Sequence, residues 1–176
     1  FTDAQARKYT FNSAPFLADK RAAQQGYVTS EPYTIQKESG IAPKVFLLAD
    51  EGYPSYATMV IAPNAFADAH PDAVRAFNEA TKAGWISYLH GDPAPGDALI
   101  RKDNPEMTQD VLDQARAKLK SYGIVDGGDA KTGGIGVMTE ARWSEFFQMA
   151  AGQGVYPKTL DPKRAYTLQF VGKPTP

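Results

Sequence analysis

The hydrophobic pattern of this 176-residue chain changes character at Pro63, and that change limits the folds open to it. Before Pro63, short apolar stretches are cut by glycine and proline; after it, helical repeats follow one another. Asn12 and Ser13 supply N-cap oxygens and Pro15 a first turn, which predicts a helix from Ala14 to Gln24 that stops at Gly26. Residues 27–30 read as a short strand, and Pro32 opens a helix that ends at Gly40, a natural C′ residue. Residues 44–49 are a continuous apolar run of strand length. A turn with Gly52 and Pro54 then leads into 55–62, a second strand rich in β-branched and aromatic residues.

Beyond Pro63 the period is helical. Asn64 caps a short turn, and Pro71 opens a long helix with Val74, Phe77, Thr81, Trp85 and Tyr88 on its inner face. A helix capped by Thr108 carries Val111, Leu112, Ala115 and Leu119 to Gly123. Another, capped by Thr139, carries Trp143, Phe146, Phe147 and Ala150 to Gly152. Asp161 and Pro162 start a last short helix through Phe170. The proline-punctuated stretch 92–105 and the glycine-rich stretch 126–136 read as loops. A two- or three-strand half beside a helical half does not close one balanced core.

Composition removes several functions. With 19 basic residues scattered among 20 acidic ones, no face is basic enough for nucleic acid. The apolar runs near residues 45–49 and 59–62 fall far short of the roughly 20 residues of a membrane-crossing helix. Zero cysteines exclude disulfides and thiolate chemistry. The chain opens on Phe1 with no basic and apolar leader before it, which reads as a processed or truncated end.

Catalytic motifs are equally sparse. His70 and His90 stand twenty residues apart, each beside a helix terminus, in no metal-ligand spacing. The glycines at 127–128 and 133–136 lack the preceding strand of a dinucleotide fingerprint. They also lack the following Lys-Ser/Thr of a phosphate loop. No G-x-S-x-G elbow occurs, and Asp50 and Glu51 read as solvated turn residues.

One segment gathers polar groups: Gly26-Tyr27-Val28-Thr29-Ser30-Glu31-Pro32-Tyr33. A strand ending in hydroxyls and a carboxylate, then turning into a helix, presents them where open α/β sheets bind ligands. The helix N-terminus adds free N–H groups. The alternative is that Thr29 or Ser30 only caps the helix and Glu31 only complements its dipole.

This run, with Phe16-Leu17-Ala18 and Ala22-Ala23-Gln24-Gln25 before it, resembles the late second-lobe segment of NMT1/THI5-like periplasmic binding proteins. Residues 45–50, 53–62, Ala67-Asp68-Ala69-His70-Pro71 and 136–170, including Arg142-Trp143, follow in the family's order. Complete members are close to twice this length, so the resemblance implies a C-terminal portion. The implied fold class is α/β, part of a type II periplasmic binding protein. Its two α/β lobes are joined by a hinge, and its C-terminal part is mostly helical. Residues 1–53 would end the second lobe, 54–62 would be the hinge crossing strand, and 63–176 would return to the first lobe.

The implied function is the solute-binding component of an ABC importer, which needs no cofactor and catalyses nothing. Its partners would be a small-molecule solute, an ABC permease in the inner membrane and the missing N-terminal portion of the same protein. Its location would be periplasmic, or membrane-anchored and extracytoplasmic. Tyr27, Thr29, Ser30, Glu31, Tyr33, Tyr53, Ser55 and Tyr56 are the expected ligand-binding residues. Their aromatic content points to a heterocyclic or aromatic solute. Two other classes stay open: an enzyme of the same fold resembling the pyrimidine-precursor synthases, and a helical protein-interaction module of residues 63–176.

Overall fold

A computed structural model describes residues 2–171. It is about half helical: eight α-helices and two 3-10 turns form among the described residues, and no strand does. The helices are α1 (Ala14–Ala18), α2 (Glu31–Ser39), α3 (Asn64–Ala69), α4 (Pro71–His90), α5 (Ala94–Asp103), α6 (Gln109–Ser121), α7 (Ala130–Gly133) and α8 (Glu140–Gly152). The 3-10 turns cover Asp3–Gln5 and Pro162–Arg164.

The long periodic helices form where their caps predict. α4 starts on Pro71, and α8 is capped by Thr139, whose Oγ1 accepts the Arg142 N–H at 3.2 Å. α2 ends on Gly40, whose φ of +73° suits the absence of a side chain, and whose N–H reaches the Gln36 carbonyl. Thr108 precedes α6, but its hydroxyl donates to Asp110 at 2.6 Å instead of capping the backbone.

The three expected strands do not form. In 27–30 the cause is local: the Glu31 carboxylate accepts the Tyr27 N–H at 2.7 Å and the Ser30 N–H bonds the Tyr27 carbonyl, which folds the segment into a turn. In 44–49 and 55–62 the cause is the absence of a partner. A strand is stable only when a neighbour accepts its backbone bonds, and residues 54–62 make no backbone–backbone hydrogen bond among the described residues. Their apolar side chains stand in solvent, Phe46 69% exposed and Ile61 90%. Three further expectations are corrected. α1 stops at Ala18 rather than Gln24, because the Asp19 side chain takes the Arg21 N–H in a turn of its own. The last helix is only the turn at Pro162–Arg164. The stretch 92–105 holds a helix, α5, because the Asp92 carboxylate accepts the Ala94 N–H at 2.9 Å and Pro95 sits in the first turn.

The buried apolar set is small: Ile35, Val74, Leu89, Leu112, Ala150, Ala151 and Phe170. Phe77, expected on the inner face of α4, is 59% exposed. The accessible surface is 13067 Å², against about 8,400 Å² for a compact chain of 19.1 kDa. Much apolar surface therefore lies uncovered in this arrangement.

Polar contacts join the helices where the apolar core is thin. Asp97 on α5 is buried, and its carboxylate accepts from Tyr88 of α4 at 2.8 Å, from Gln109 of α6 at 2.7 Å and from Arg116 of α6 at 3.1 Å. Burial alone would raise its pKa, yet the Gln109, Tyr88 and Arg116 bonds outweigh burial and hold it below the ordinary value. Arg116 also lies over the Tyr88 ring, 5.3 Å from its centroid. Gly96 allows the close approach, because a Cβ there would meet the Tyr88 ring at 3.0 Å. Removing the carboxylate leaves the Tyr88 hydroxyl and the Gln109 amide without this acceptor and Arg116 with Asp113 as its remaining carboxylate, so Asp97→Ala is expected to cost about 1–3 kcal/mol in urea unfolding. A change below 1 kcal/mol would show that the three helices do not depend on this node.

α2 is held to α6 by charge. Asp110 accepts from Tyr33 at 2.5 Å and from Lys37 at 2.7 Å. The Lys37 bond, then those from Thr108 and Tyr33, holds its carboxyl well below the carboxylate range. A depressed folded pKa stabilises above the unfolded value near 4 and is lost as pH falls below it. The protection factors of the α2 amides, exchange rates taken relative to the unstructured chain at the same pH, are therefore expected to fall below about pH 4. Asp110→Asn is expected to abolish that dependence.

Candidate functional site

The turn at residues 47–52 leads into a concavity against α8. The Tyr53 N–H bonds the Leu48 carbonyl at 2.9 Å, and Gly52 takes a φ of +80°, a conformation that disfavours a side chain. The chain then runs along α8. Tyr53 meets Phe146 edge-on at 5.7 Å between ring centroids. Arg142, one turn into α8, donates from Nε to the Pro54 carbonyl at 2.8 Å and from Nη2 to the Ser55 carbonyl at 3.0 Å. Its guanidinium carbon lies 4.3 Å from the Tyr56 ring centroid.

Tyr56 is the pivot of this cluster. Its hydroxyl donates to Asp129 Oδ2 at 2.9 Å and accepts the Thr139 N–H at 2.9 Å, which ties it to the N-cap of α8. Asp129, in turn, stands 3.7 Å from Arg142 Nη1. Trp143 stacks on Tyr166 at 4.8 Å with the planes 5° apart, and its indole N–H is buried with no hydrogen-bond partner. Between the 54–56 segment with Met59 on one side and α8 on the other lies a cavity of about 250 Å³. Trp143, Phe146 and Tyr156 give it aromatic walls, and Arg142 is the one cationic residue in its lining.

The second predicted group sits at the start of α2. Glu31 accepts from the Tyr27 N–H at 2.7 Å and from the Tyr9 hydroxyl at 3.4 Å. The Thr29 carbonyl takes the Gln114 amide at 2.5 Å. Ser30 occupies the N-cap of α2 without a side-chain cap bond, Tyr33 turns to Asp110, and Tyr27 is largely exposed. The hydrogen bonds of this group run to α6 and Tyr9, those of the first group to α8 and the loop before it.

Of the eight expected residues, Ser55 and Tyr56 line the cavity and Tyr53 packs on its wall. Asp129, Arg142, Trp143, Phe146 and Tyr156 were missed. The helical spacing of Arg142, Trp143 and Phe146 behind the Thr139 cap places them within four residues of one another, and that signal was legible. Asp129 was not, because the glycine-rich stretch around it has no period to orient it. His90 pairs with Asp126 at 2.9 Å, and His70 rests on the Phe66 ring. Among the described residues no group of three or more His, Asp or Glu could hold a metal ion, and no helix is long and apolar enough to cross a membrane.

No curated protein and no solved structure matches the chain. Residues 2–94, just over half of its length, match the model of the family described as NMT1/THI5 like. That match includes the first wall of the cavity and stops short of α8. The chain belongs to the NMT1/THI5-like family.

Proposed function

We propose that the chain is the C-terminal portion of a solute-binding component of an ABC importer, and that it captures a small heterocyclic or aromatic molecule for a membrane permease. The family includes both binding proteins and synthases, and the aromatic cavity between residues 54–56 and α8 carries the choice of binding. Its walls offer π-faces and edges, which suit a ring. Its volume of about 250 Å³ lies just under the usual 300–1,000 Å³ of small-molecule sites, which limits the solute to a compact one.

The uncovered surface supports the portion reading. Residues 44–48 and 59–61 carry the apolar side chains of strands, residues 59–61 make no backbone–backbone hydrogen bond among the described residues, and the remaining part of a two-lobed protein would supply their neighbours. In that arrangement the component works outside the cytoplasmic membrane and closes on its solute by bending between lobes. The synthase alternative has less support, because both histidines are engaged away from the cavity and there is no cysteine. The interaction-module alternative treats residues 63–176 as independent, whereas α8 is bonded to Pro54, Ser55 and Tyr56.

A thermal-shift and tryptophan-fluorescence screen tests the reading, with uracil, adenine and indole against non-aromatic solutes of similar size. A binder at a hundred times its Kd is expected to stabilise the fold by about 2.7 kcal/mol. Tyr56→Ala is expected to weaken that binding about tenfold, since the stacking surface and its anchoring bonds both go. A panel that leaves melting and fluorescence unmoved would overturn the solute-binding role.

A further inference from the structure

We infer that Arg142 is a positioning residue whose charge is already consumed, so that the cavity rejects small oxyanions although it has a guanidinium in its wall. The inference rests on the solute-binding reading and narrows what that site accepts. An arginine beside aromatic rings ordinarily serves as an anion clamp, because its fork presents two parallel N–H groups to a carboxylate, sulfonate or nitrate. Here the fork is turned on the protein. Nε is bonded to the Pro54 carbonyl and Nη2 to the Ser55 carbonyl, so the side-on edge, one of the two that could grip an anion, grips the chain. The third nitrogen, Nη1, has the Asp129 carboxylate 3.7 Å away, which neutralises the charge locally. The flat face of the guanidinium is covered by the Tyr56 ring.

An incoming oxyanion would meet a neutral ion pair and the repulsion of Asp129. It would lose its hydration for the Nη1 edge alone, with the Asp129 carboxylate 3.7 Å away. An uncharged ring meets none of these costs. What Arg142 does for it is indirect: by holding two consecutive carbonyls and one ring face, it sets the position of Tyr56 opposite Trp143, whose ring centroid lies 6.0 Å away. Lysine could keep the charge but could not hold two carbonyls and cover a ring at once.

The test uses a Trp85→Phe background, so that Trp143 is the only emitting tryptophan, and titrates uracil and adenine against nitrate and methanesulfonate. The expected result is saturable quenching by a ring compound and none by either oxyanion. Arg142→Lys is expected to weaken ring binding about tenfold and to shift Trp143 emission, despite the conserved charge. Asp129→Asn keeps an acceptor for the Tyr56 hydroxyl and removes the neutralising charge, so it is expected to gain nitrate or methanesulfonate binding. Oxyanion binding to the parent protein, or unchanged ring affinity in Arg142→Lys, would overturn the inference while leaving solute binding intact. If Arg142→Lys fails to fold, the Asp129→Asn titration decides alone, and no gain of oxyanion binding overturns the inference. If no ring compound binds but Asp129→Asn gains an oxyanion, the masking of Arg142 stands and the aromatic-solute reading falls.

Discussion

The bonds from Arg142 to the Pro54 and Ser55 carbonyls are the constraint on which the site depends. A stretch of extended chain without a neighbouring strand has no backbone partners of its own, and each buried carbonyl left unmade would cost about 1–3 kcal/mol. Arg142 takes up two such carbonyls with charge-assisted bonds, and Tyr56 takes the N–H of the residue that caps the same helix. The segment before Pro63 and the helices after it are thereby one unit at this point, even though few apolar contacts join them. The aromatic walls follow from that anchoring. Tyr53 can meet Phe146, and Tyr56 can face Trp143, only because the backbone between them is held against α8.

The same logic operates at α4, α5 and α6, where a buried carboxylate replaces a larger apolar core. Burying Asp97 is costly in isolation, and the cost is offset because its two oxygens find four donor contacts, two of them from the Arg116 guanidinium. Polar nodes of this kind are directional. They fix how helices meet where a small apolar set would leave sliding freedom, and they fail sharply when one partner is removed. α4 is also tied to the end of the described chain, where Arg75 and Asn78 donate to the carbonyls of Gln169 and Phe170.

The helices were legible in the sequence to the extent that they are local. α4, α6 and α8 carry a 3.6-residue apolar period, a starting proline or threonine and a stopping glycine, and all three form close to the expected bounds. α5 was read as loop because Pro93 and Pro95 are breakers in most settings, whereas within a first turn they favour the helix. The strands were misread for the opposite reason. A β-branched run states only that a segment fits a sheet, and whether a sheet exists depends on neighbours far away in the chain or outside it. The site shows the same division. Tyr53, Ser55 and Tyr56 were expected at the site from their place beside a turn, but Arg142 and Asp129, which hold that segment, lie some ninety and seventy residues further on. No local pattern couples them.

In a two-lobed arrangement, bending between the segments before and after Gly52 would concentrate at that residue. The turn at Gly52 and the crossing segment 54–62 after it were together expected to hold the hinge, and a hinge must absorb changes of φ and ψ without breaking bonds. Pro54 has a ring-fixed φ, and its carbonyl and that of Ser55 are both held by Arg142, so rotation there would break two charge-assisted bonds. Tyr56 is bonded at its hydroxyl on both sides. Upstream, the turn ending at Gly52 is held by short backbone bonds alone, and Gly52 has open space where a Cβ would be. If the proposed lobes bend, rotation between the chain before residue 50 and the chain after 53 would fall on Gly52, where a φ of +80° is accessible at little cost. The aromatic wall would then travel with α8 as a rigid piece. A solute lodged against Tyr56 and Trp143 would stay in one frame while the other side moves, so closure over it would have to draw its differential affinity from contacts on that other side.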